Sequence, residues 1–161
     1  MNLKRGGTAG VAVMAVVAGT AAVAVAVPPP PDGTFVGDTS QTSIKRHGVQ
    51  VETDANGHVS RVIIQWKAKC KVKGKFWTST TNIAAGSKGL PQSGDVFSRK
   101  RSYTANAGGG IKGRIKYALA GQFTDNDNAT GTWSAKVVVR KRGKKIDSCK
   151  LPKITWGAAR T

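Results

Sequence analysis

Between Val62 and Val72 every even-numbered position is apolar: Val62, Ile64, Trp66, Ala68, Cys70 and Val72. The odd positions from Gln65 onward are polar, and from Lys67 to Lys75 each one is lysine. Side chains on a strand alternate between the two faces of a sheet, so this pattern predicts a half-buried strand. Trp66 and Cys70 then face the core, and Lys67, Lys69 and Lys71 face outward. "KGK" at 73–75 reads as a turn into "FWTSTTNI", which puts Lys73 and Lys75 at a hairpin tip.

The same period recurs along the chain. "VETDANGHVSRVIIQW" is a hairpin in which Asn56-Gly57 suits a turn that needs positive φ. In "IKGRIKYALAGQF" the residues Ile111, Ile115, Tyr117, Leu119 and Phe123 share one face, and Lys112, Arg114 and Lys116 share the other. "TWSAKVVV" directs Trp133, Ala135, Val137 and Val139 inward, with Lys136 and Arg140 opposite and Arg142 in the basic tip "RKRGKK". In the last segment Cys149 and Leu151 have one parity, Ile154 and Trp156 the other. Pro152 lies at the switch, which predicts a bulge or break there. "VFSRKRSYT" is ambiguous, because Arg99 and Arg101 lie on the same side as Phe97 and Tyr103. "AAGSKGLPQSGD" reads as loop. About eight short strands separated by turn signals predict an all-β fold, a single antiparallel β-sandwich or small β-barrel.

The N-terminus has a different character. Lys4 and Arg5 precede an uncharged run, residues 9–27, and "AVA" at 24–26 is a small-x-small cleavage pattern. Residues 1–26 therefore read as a signal peptide, with a retained membrane anchor as the alternative. The proline-rich stretch 27–33 reads as a stiff spacer, and 34–160 as the β domain. This places the protein outside the cell, secreted or associated with the wall. After cleavage the chain keeps no transmembrane span.

Charge sharpens the picture. Lys and Arg number 26 against 8 Asp and Glu, a formal net charge of +18. Loss of Lys4 and Arg5 with the leader leaves +16. Such an excess points to anionic surroundings or an anionic partner and says nothing about fold. Cys70 and Cys149 are the only cysteines. In an exported chain the simplest reading is a disulfide joining the third strand to the last. A zinc site with His47 and His58 lacks the paired short spacing of zinc ligands.

Several pieces together resemble a group of small exported proteins of high-GC actinobacteria. They are "PPDGTFVGDTSQ" at 30–41, "WKAKC" at 66–70, "ATGTW" at 129–133 and "ITWGAAR" at 154–160. The resemblance implies an exported all-β domain with a two-cysteine link. It carries no activity and no site residue, and the lysine ladder is not part of it.

Catalytic and cofactor motifs are sparse. There is no GxSxG elbow, and no spaced pair of acids suggests acid–base work. "DNDN" at 125–128 lacks the length, the sixth-position Gly and the distal Glu of a calcium loop. No metal, cofactor or catalytic residue is assigned, and the expectation is a non-enzymatic protein. Trp66 and Trp133 fall on inward parities. An exposed Trp77 or Trp156 would suit a carbohydrate or small-ligand module, the alternative reading.

The basic residues carry the main expectation. If the strands bearing them adjoin, Lys67, Lys69, Lys71, Lys73, Lys112, Arg114, Lys116, Lys136, Arg140 and Arg142 form one cationic plate. Such a plate binds polyanions through many weak, salt-sensitive contacts. The partners expected outside a cell are anionic wall polymers or lipid headgroups. Nucleic acid fits less well, because the aromatics fall mainly on the opposite parity. A solvated face that only keeps the protein soluble is the remaining alternative.

Overall fold

A chain whose apolar residues recur every second position can bury them only by turning one face of a sheet toward another, or toward itself. The structure is a computed structural model that describes residues 30–44, 47–86 and 89–161. The expected signal peptide at 1–26 and the first part of the spacer lie outside the described residues. Pro30 is buried, and its carbonyl accepts the Thr53 hydroxyl at 2.7 Å, so this end of the proline stretch is fastened to the domain.

Nine strands follow: β1 (Thr34–Thr39), β2 (Val49–Thr53), β3 (Val59–Cys70), β4 (Phe76–Ala84), β5 (Gln92–Ser93), β6 (Val96–Gly108), β7 (Ile111–Phe123), β8 (Asn128–Lys141) and β9 (Lys144–Arg160). They form one antiparallel sheet in the order β4-β3-β2-β1-β9-β8-β7-β6-β5. The strand beyond the expected eight is the two-residue β5, inside the stretch read as loop. The ambiguous "VFSRKRSYT" belongs to a long strand, β6. Arg99 and Arg101 stand opposite Leu119 and Tyr117 on the inward parity, as the pattern indicated. β5 covers only Val96 and Phe97, so the edge beyond them is open and both arginines reach water.

β1 and β2 are too short to separate β3 from β9 along their whole length. Beyond them β3 pairs directly with β9, Lys69 with Lys150 and Cys70 with Cys149. The Gln41 side chain fills the gap between the two pairings, accepting the Lys67 N–H at 3.1 Å and donating to the Lys67 carbonyl at 2.8 Å. The wedge of two short strands helps to roll the sheet. β4 at one edge meets the strands near the other edge across the core through side chains: Trp77 packs on Gly113 of β7, and the hydroxyls of Thr81 and Tyr103 of β6 bond at 2.7 Å.

The core is aromatic in two groups. Phe35, Phe97, Phe123 and Trp156 form one, with neighbouring centroids 5.2 to 6.2 Å apart. In the other, Tyr117 stacks on Trp133 at 4.9 Å and Trp66 follows at 6.3 Å. The Trp66 indole N–H donates to Thr81 Oγ1 at 2.8 Å. The indole N–H groups of Trp77, Trp133 and Trp156 have no acceptor among the described residues. The bulge expected at Pro152 is present: the β8–β9 register moves between Trp133–Ile154 and Ala135–Leu151. Leu151 and Trp156 are thereby both buried despite opposite parity.

Cys70 and Cys149 are disulfide-bonded, 79 residues apart in sequence. Closing a loop of that length stabilises by on the order of 4.5 kcal/mol in the chain-entropy account. Cys70→Ser/Cys149→Ser should lower the unfolding free energy by several kcal/mol, measured by denaturant titration; a midpoint unchanged from the oxidised parent would contradict this. A second expectation concerns Gly121. A Cβ there would lie 2.3 Å from the Phe97 ring and 2.7 Å from the Trp156 ring. Both rings are buried, so Gly121→Ala should cost roughly 1–3 kcal/mol in the same titration.

Candidate polyanion-binding face

The register of four consecutive strands determines which lysines are neighbours. Lys116 of β7 stands opposite Lys136 of β8, Lys136 opposite Lys150 of β9, and Lys150 opposite Lys69 of β3. All four are exposed on the outer side of the sheet. Adjacent strands lie about 4.8 Å apart, closer than the roughly 6.8 Å between same-face residues of one strand. At about 5 Å two unit charges repel by roughly 0.8 kcal/mol even in water. Like charges directly opposite each other destabilise a sheet, and here the conflict is repeated three times in one row.

Among the described residues no acid pairs with these lysines. The ion pairs among the described residues are His58–Asp54 and Arg61–Glu52, both toward the other end of the strands. Lys116, Lys136, Lys150 and Lys153 border a shallow hollow of about 500 Å³ with Ala118, Ser134 and Pro152. A second row, Lys112–Arg140–Lys145, crosses β7, β8 and β9 nearer the hairpin tips. Lys112, Arg114, Arg140 and Arg142 border another hollow of about 460 Å³ there, and Arg140 donates to the Gly143 carbonyl at 2.8 Å.

The structure brings Lys69, Lys112, Arg114, Lys116, Lys136 and Arg140 onto one continuous outer surface. Lys67 is only partly exposed, its Nζ 4.4 Å from the Phe76 ring centroid. Lys71 and Lys73 have left the ladder for the β3–β4 turn, and Arg142 occupies the β8–β9 turn with φ 48°. Val72, expected inward, is 48 % exposed because β3 ends at Cys70.

The sequence left Lys145, Lys150, Lys153 and Phe76 off this face. Lys150 shows no run of its own; only the Cys70–Cys149 register makes it the bridge between β3 and β8. Its signal was the alternation Cys149–Lys150–Leu151. Phe76 pairs with Lys69 at the end of the row and is 53 % exposed. Its parity depended on the length of the turn before it.

Most of the acids gather at the opposite end, Asp147 beside the hairpin tips being the main exception. The backbone joins Asp32 to Asp54 at 3.0 Å, Asp95 to Phe123 at 3.0 Å and Asp127 to Arg160 at 2.7 Å, all where β2, β7 and β9 end or β3 and β8 begin. Asp54 accepts the N–H groups of His58 and Asn56, both at 2.9 Å. The His58 bond above all holds its carboxyl below the ordinary range. Asp125 is lowered likewise, chiefly by the Asp127 N–H at 2.8 Å. The molecule is therefore electrically polar along its strands.

Other chemistry finds little support here. His47 is exposed, has φ 64° and gives its backbone N–H to Asp38. His58 sits at a turn. Asp147 lies beside Cys70 and Cys149, but those sulfurs are joined to each other. No tryptophan is exposed: Trp66, Trp133 and Trp156 are buried, and Trp77 is partly covered by the core. No family model, curated protein or solved structure matches the chain.

Lys136 has a like charge directly opposite on both sides. Lys136→Thr should therefore raise stability at low ionic strength by roughly 0.5 kcal/mol, with the gain shrinking as salt is added. Thermal unfolding at low and high salt measures this; a variant less stable than the parent at low salt would contradict the repulsion.

Proposed function

We propose that this chain is an exported, non-enzymatic protein that binds anionic cell-surface material, wall polymers or lipid headgroups, through its cationic outer face. The observation that carries the reading is the cross-strand row Lys116–Lys136–Lys150–Lys69. A fold that only needed solubility would gain it from scattered charges, whereas a row of opposed lysines weakens the sheet unless a polyanion neutralises it. The disulfide fits an oxidising compartment. Among the described residues no helix is long and apolar enough to cross a membrane. The carbohydrate-module alternative loses support with Trp77 and Trp156 turned toward the core.

Retention on immobilised heparin, eluted with rising salt, tests the reading. The parent should elute well above physiological ionic strength. Lys69→Ala/Lys116→Ala/Lys136→Ala/Lys150→Ala should elute markedly earlier, and the slope of log affinity against log salt should fall by about one for each lysine that contacts the polymer. Elution of the parent at or below physiological ionic strength would sink the proposal. Equal retention of parent and variant would remove the lysine row as the binding face.

A further inference from the structure

At the cationic end of the strands, two backbone irregularities turn aliphatic side chains outward. The β8–β9 register runs from Val139–Asp147 to Arg140–Lys145 and skips Ile146. Ile146 is thus the extra residue of a bulge, a device that re-aims a side chain, and it is 50 % exposed. Val72 lies two residues beyond the end of β3 and is 48 % exposed. Single exposed aliphatics are ordinary, but these two are adjacent. They border one shallow hollow together with Lys71, Lys145, Asp147 and Ser148.

Asp147 keeps them together. Its Oδ1 accepts the N–H groups of Val72 at 3.4 Å and Ser148 at 2.6 Å, and the Lys71 N–H donates to the Ser148 carbonyl at 2.9 Å. The acid nearest these tips is thereby committed to tying the β3–β4 turn to β9. Lys71 and Lys145 border the aliphatic pair, Lys73 and Lys144 are exposed next along the chain, and Phe76, also exposed, opens β4 after the same turn.

We infer that this end of the molecule docks on an anionic lipid bilayer, with Val72 and Ile146 entering the headgroup–acyl boundary and the surrounding lysines engaging the headgroups. The inference rests on the polyanion reading above and names the partner. A hydrated wall polymer or a nucleic acid would use the lysines and gain nothing from two aliphatic side chains between them. An interface accepts both, since binding there grows with buried apolar area and with attraction to anionic lipid. Lysine stems also pack along apolar surface while their ammonium groups remain at headgroup level. The acidic loops at the far end orient the molecule with the tips toward a negative surface.

The test uses the protein as released by an exporting host. It compares vesicles of phosphatidylcholine with and without phosphatidylglycerol, alongside the heparin column. The parent should sediment with the anionic vesicles only. Val72→Ser/Ile146→Ser, two exposed positions, should weaken vesicle binding about tenfold or more while leaving heparin elution unchanged. The lysine-row variant should weaken both. Vesicle binding by the serine variant equal to the parent's would overturn the membrane assignment, as would a parent that is retained on heparin or nucleic acid yet ignores anionic vesicles. In those cases the polyanion reading stands. A parent that is not retained on heparin above physiological salt defeats that reading itself.

Discussion

Cys70 and Cys149 stand directly opposite each other in an antiparallel pair, and that register decides what else lies across from what. With the cystine facing the core, the next residue on each strand must face outward. Lys69 and Lys150 are those residues. A slip of one position would turn the cystine to solvent and both lysines to the core. The bond that stabilises the fold also fixes the Lys150–Lys69 end of the charged row. It can do so only because β1 and β2 stop early, leaving β3 and β9 free to meet.

The charged row sets stability against use. Each step across β7, β8, β9 and β3 places ammonium groups on opposed positions, and no carboxylate among the described residues pairs with them. The strands tolerate it because the opposite face is filled by Trp66, Trp133, Tyr117, Ile115 and the cystine, all buried. Burial of one such side chain contributes roughly 1.5–3 kcal/mol, more than the repulsion of one lysine pair in water. Salt lowers the repulsion further. The inner face therefore holds a sheet whose outer face works against it.

Much of this was legible in the sequence. Period-two alternation placed Trp66, Cys70, Ile115, Leu119, Trp133 and Val137 inward, and each is buried. The parity switch at Pro152 announced a bulge, and the lone cysteine pair announced the link between β3 and β9. Strand neighbours were not legible, because alternation fixes the face of a residue and not the strand beside it. That is why Lys112, Arg114 and Lys116 could be grouped with β3 only conditionally, and why Lys150 escaped notice. Local irregularities hid the rest. Ile146 has apolar chemistry and a bulge position, and nothing in "KKIDSC" marks the bulge. Phe76 depended on a turn whose length the residues Lys71–Lys75 do not declare.

Rolling the sheet links the core to the surface. Large rings fit inside because inward glycines stand opposite them: Gly113 under Trp77, and Gly121 beneath Phe97 and Trp156. The tryptophans are thus consumed by the core, leaving the outer surface without an aromatic platform apart from Phe76. The lysines of the outer surface carry their ammonium groups on long flexible stems, and among the described residues no ion pair holds any of the four row members in one arrangement. An array of flexible cations has no means of reading the shape of a small ligand. It responds to the density of negative charge, and a second contact such as the Val72–Ile146 pair is what allows it to distinguish one charged surface from another.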